Sequence, residues 1–81
     1  MTDIVRIAKI VLADVDRKKV LEILEGVNLT KIEKEIVIKT ELNGERLYDM
    51  ADVFSLSVDS ISHIKRNAMR KIGIFFTKQL Q

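Results

Sequence analysis

From Ser57 to Phe76 the apolar positions Ile61, Ile64, Ala68, Ile72 and Phe75 fall 3, 4, 4 and 3 apart. That spacing is one stripe of an α-helix. At about 100° per residue, Asp59, Ser62, His63, Arg66 and Arg70 share the opposite side. Upstream, residues 3–13 put Ile4, Ile7, Ala8 and Val11 on one side, widened by Val5 and Leu12. Val20, Leu21, Ile23 and Leu24 form a second stripe, capped by Asp14 or Asp16 and ended by Gly26. The phase slips between Leu12 and Val20, which predicts two helices, a single bent one being the alternative. Thr30 caps a third helix, and Glu33 three residues on completes a capping box. Ile32, Ile36 and Val37, with the stem of Lys39, face inward there, and Asn43-Gly44 ends the helix because both tolerate φ > 0. A short helix from about Arg46 to Phe54 buries Leu47, Met50, Ala51 and Phe54. Ser55-Leu56 makes a turn, and Ser57 caps the long helix by accepting from the backbone N–H of Asp59 or Ser60. Val and Ile are abundant, but no stretch sustains the period of two that a strand needs.

The pattern therefore predicts an all-α bundle of about five helices. Its 81 residues suit one domain, 1–81, and a chain this short has a small core. Residues 1–27 read as a helical extension available for dimerisation, and 28–76 as the helix-turn-helix unit. The three glycines, Gly26, Gly44 and Gly73, read as punctuation between helices. With no cysteine, disulfides and thiolate metal sites are excluded, and a reducing, cytoplasmic setting is expected. No apolar run approaches the ~20 residues of a membrane span, and Met-Thr-Asp-Ile lacks the basic start of a signal peptide. The net charge of +2 is unevenly placed. Residues 1–59 hold nine Lys/Arg against twelve Asp/Glu, whereas residues 60–81 hold Lys65, Arg66, Arg70, Lys71 and Lys78 and no acid. One basic end on a mildly acidic body fits a polyanion-binding element.

Short helix, tight turn and capped long helix together make a helix-turn-helix. Ala51 is small where the two helices cross, Leu56 is placed to plug the gap between them, and Ile61 and Ile64 lock the second onto the first. The cap at Ser57 turns the positive helix N-terminus outward.

On these residues the chain resembles region four of bacterial sigma factors and the LuxR/GerE-type regulators, from Leu29 to about Ile74. Leu29-Thr30-Lys31 with Glu33, Glu35, Ile36 and Val37 is similar to the LuxR-type L-T-x-R-E-x-E-V-L. Tyr48-Asp49-Met50-Ala51 stands where that family has K-E-I-A, and Leu56 to Ile61 where it has I-S-x-x-T-V. Asn67, Lys71, Ile72 and Gly73 match its trailing N-I-x-x-K-L-G. Leu47, Asp59, Ile61, Ile64, Ala68, Met69, Arg70 and Lys71 match the sigma pattern. Three departures stand out. Arg46 replaces the usual Ser or Thr cap, Ser62 replaces a common basic contact, and Ile64 replaces the LuxR-type His. With only eight residues after Gly73, no counterpart of the LuxR-type dimer helix or of its upstream activating domain is expected within these 81 residues.

The resemblance implies a sequence-specific DNA-binding regulator of transcription, with the long helix in the major groove. Asp59 sits where a sigma Glu reads base edges and could accept from cytosine N4; it is equally an acid favoured by the helix dipole. Ser60, Ser62 and His63 could meet bases or phosphates. Arg66 suits guanine O6/N7 or a phosphate. Lys65, Asn67, Arg70 and Lys71 suit phosphates, with Arg46 a weaker contact beside the scaffold helix. Double-stranded DNA is the expected partner, and a homodimer on two half-sites would raise affinity, joined through the N-terminal helices and Phe75-Phe76. The competing class is an adaptor that docks on RNA polymerase or another regulator through an exposed N-terminal apolar face. No enzyme, cofactor or small-molecule substrate is expected. One His and no Cys leave no nucleophile–base pair, and there is no Gly-rich phosphate loop.

Overall fold

Side-chain caps set where most of the helices begin. The computed structural model of the chain describes residues 3–79. Five α-helices follow in order: α1 Ile4–Asp14, α2 Arg17–Gly26, α3 Lys31–Val37, α4 Leu47–Phe54 and α5 Val58–Gln79. No strand occurs among the described residues. Asp3 caps α1, its Oδ1 accepting from the Val5 N–H at 3.0 Å. Asp16 caps α2 through the Lys19 N–H at 2.8 Å. Val15 and Asp16 are both extended, so α1 and α2 are two helices and not one bent rod. Both bonds of the Thr30–Glu33 capping box form, at 3.2 and 2.8 Å. Ser57 Oγ accepts from the Ser60 N–H at 3.1 Å and starts α5. Arg46 stands at the cap of α4 and makes no such bond.

Beyond Val37, α3 widens into a π-helical turn, Ile38–Leu42, closed by the Asn43 N–H donating to the Ile38 carbonyl at 3.2 Å. Gly44 then takes φ 71°, a left-handed conformation that a side chain would strain. Ser55 is also left-handed, at φ 55°, and turns the chain between α4 and α5.

Helix α5 is the wall on which α1, α3 and α4 pack. Its first turns close a small cluster in which Ile36, Met50 and Ile61 are buried, with Leu47, Ala51, Phe54 and Ile64 around them. Its second half closes a larger one with Ala8, Leu12, Val20, Leu24 and Val37 against Ala68, Met69 and Ile72. Burying a Leu or Ile side chain stabilises by about 1.5–3 kcal/mol, so the larger cluster dominates.

Three details differ from the pattern. Gly73 does not punctuate; it lies buried inside α5, where a Cβ would collide with the side chain and carbonyl oxygen of Ile4. Leu56 does not plug the gap between α4 and α5, which Met50, Phe54 and Ile61 already fill; it is 39% exposed. Leu21 lies about 100° round from Val20, outside the line that Val20, Ile23 and Leu24 present to the core. It is accordingly exposed.

Candidate nucleic-acid interface

The stripe on α5 is buried as its spacing requires, with Ile61, Ala68 and Ile72 fully enclosed. That fixes the opposite side outward. Asp59, Ser60, Ser62, His63, Arg66, Asn67 and Arg70 are all exposed. The short helix α4 and the turn at Ser55 support the start of α5 from behind, through Met50, Phe54 and Ile61. Ser60 has a structural task as well, its Oγ accepting from the Ser57 hydroxyl at 2.9 Å. Arg46 is exposed just before Leu47, which lines a groove with Ser62, Lys65 and Arg66.

The cations divide into two sets. Lys65 Nζ lies 2.9 Å from Glu41 Oε1, both side chains mostly covered. Lys71 Nζ lies 2.8 Å from Glu33 Oε1, whose side chain is only 8% exposed. Burial alone would raise the Glu33 carboxyl. Hydrogen bonds from Lys71 and Thr30, with the Lys71 charge, outweigh it and hold the carboxyl below its ordinary value. Lys65 and Lys71 thus tie α5 to α3 and its π-helical turn, with much of their charge neutralised at home. Arg66 and Arg70 form no ion pair among the described residues, so their charge faces solvent.

Two residues of α1 and its cap join this surface, neither of which the sequence singles out. Lys9 lines the groove that holds Ser62, Lys65 and Arg66. Asp3 lines an open cleft with His63, Arg66, Asn67 and Arg70. Both reach α5 only through tertiary packing, which no spacing within α1 encodes.

The apolar side of α1 is not free. Ala8 and Leu12 are buried, and Val5, Phe75 and Phe76 pack against the same cluster. The two phenyl rings meet edge to face, with centroids 5.8 Å apart. Among the described residues no group of three or more His, Cys, Asp or Glu is placed to hold a metal ion. No described helix is long and apolar enough to cross a membrane. No family model matches the chain, and neither a curated protein nor a solved structure matches it.

Proposed function

We propose that the chain is a sequence-specific DNA-binding regulator of transcription, of the sigma region-four and LuxR-like helix-turn-helix type, with α5 lying in the major groove. The observation that carries this is the sidedness of α5. A stripe in which Ile61, Ala68 and Ile72 are fully buried lies opposite an exposed row of acceptors, donors and arginines with no ion pair among the described residues. Arg66 would reach guanine or a phosphate, Asp59, Ser62 and His63 base edges, and Asn67 and Arg70 the backbone. One short recognition surface favours a homodimer on two half-sites. A contact between copies would draw on side chains still exposed, such as Ile10 and Leu21, since the main face of α1 is covered.

A second reading, a protein-binding adaptor, has support from a different surface. Tyr48 and Val53 of α4 and Leu56 and Val58 around the turn are apolar and exposed. Selection of bound duplexes from a random pool, followed by fluorescence anisotropy on the winner and a scrambled control, tests the DNA reading. Enrichment of a motif whose binding is lost with Arg66→Ala supports it. Absence of enrichment, with binding to RNA polymerase weakened by Val53→Asp, would favour the adaptor.

A further inference from the structure

Asp3 is the one acid among the side chains lining the α5 cleft, where it shares the space with His63, Arg66, Asn67 and Arg70. Its position is fixed twice. Its carboxylate accepts from the Val5 N–H at 3.0 Å. The next residue, Ile4, is seated on Gly73, one turn beyond Arg70, so closely that no Cβ would fit there. Asp3 is exposed and forms no ion pair with either arginine, so its carboxylate stands free on the wall of the cleft. Screening in physiological salt acts over about 8 Å, so an acid lining the same cleft acts on these arginines more strongly than acids farther away on the chain.

We propose that Asp3 is an electrostatic brake on this surface: its carboxylate, on the wall of the cleft that Arg66 and Arg70 also line, weakens their attraction for the phosphodiester backbone of DNA. The inference rests on the DNA-binding reading above. It goes beyond capping, because capping needs an acceptor and not a charge. Asn and Ser cap as well as Asp does. Asp3→Asn and Asp3→Ser therefore keep α1 in place and remove only the carboxylate.

The test is fluorescence anisotropy of the full chain on a selected and a scrambled duplex, across a series of salt concentrations. Both variants should bind both duplexes about two- to fivefold more tightly at low salt, the scale of one exposed charge pair, with the gain fading as salt rises. Glu35→Gln removes the same charge from an exposed site that does not line the cleft, and should change affinity less. Far-UV circular dichroism and melting of the variants should match wild type. Wild type that binds, with Asp3→Asn and Asp3→Ser indistinguishable from it or from Glu35→Gln, overturns the brake and leaves the DNA reading standing. Binding by the Asp3 variants alone supports the brake in its strongest form. No binding by any of them overturns both.

Discussion

The two apolar clusters are built on the same helix and are unequal. Beneath α4 and the start of α5 only Ile36, Met50 and Ile61 are buried, whereas nine residues are buried where α1 and α2 meet the second half of α5. The proposed interface thus starts over the smaller core, at Asp59 to His63, and runs on with Arg66, Asn67 and Arg70 past Ala68 and Met69 of the larger one. Its aim comes from α5 being clamped further along, by Ala68, Met69 and Ile72 against α1 and by Gly73 beneath Ile4. A helix of 22 residues is about 33 Å long, so holding one half rigidly directs the other.

Removing residues 1–27 should have the largest effect. It strips Val37, Ala68, Met69 and Ile72 of their partners, and the remaining segment should show no cooperative unfolding transition by circular dichroism. A two-state transition from that fragment would mean that the small cluster suffices alone. Next come single truncations. Leu24→Ala should cost about 3 kcal/mol in urea denaturation, and Met50→Ala about 2, because the half-exposed neighbours of Met50 can close in. Both should keep one transition, since α5 belongs to both clusters.

Gly73→Ala sets two effects against each other. Alanine favours a helix interior by up to about 1 kcal/mol, but the Ile4 carbonyl is backbone and cannot swing aside. We expect net destabilisation of about 1–2 kcal/mol. A stabilised variant would show that α1 moves freely on α5.

The Glu33–Lys71 pair gives the smallest stability effect and a distinct pH signature. The folded-state carboxyl lies below its ordinary value. Its contribution is therefore present in full above the ordinary glutamate range and is lost as pH falls through the folded value. Lys71→Ala should cost about 0.5–1 kcal/mol near neutrality, since the lysine is half exposed, and Glu33→Gln should flatten the acid limb of stability against pH. An unchanged limb would assign the acid sensitivity to other carboxylates.

The legible parts of this fold were those carried within one segment. The stripe from Ile61 to Phe75, the Thr30–Glu33 capping box and the Asn43-Gly44 stop are local patterns with local causes. What periodicity could not convey was which face meets which. Nothing around Lys71 names Glu33, 38 residues away, as its partner, and nothing around Ile4 names Gly73. The same gap explains Leu56, apolar in a position that neighbours had already filled. At the candidate site, the exposed row on α5 followed from its helical phase. The loss of Lys65 and Lys71 to ion pairs, and the arrival of Lys9 and Asp3, depended on tertiary packing.

The most direct measurement is the affinity of full-length wild type and Arg66→Ala for a duplex selected from a random pool and for its scrambled counterpart. Arg66→Ala should lose about 1–3 kcal/mol on the selected duplex and much less on the scrambled one. Equal affinities of the two proteins for both duplexes would contradict the placing of α5 against DNA.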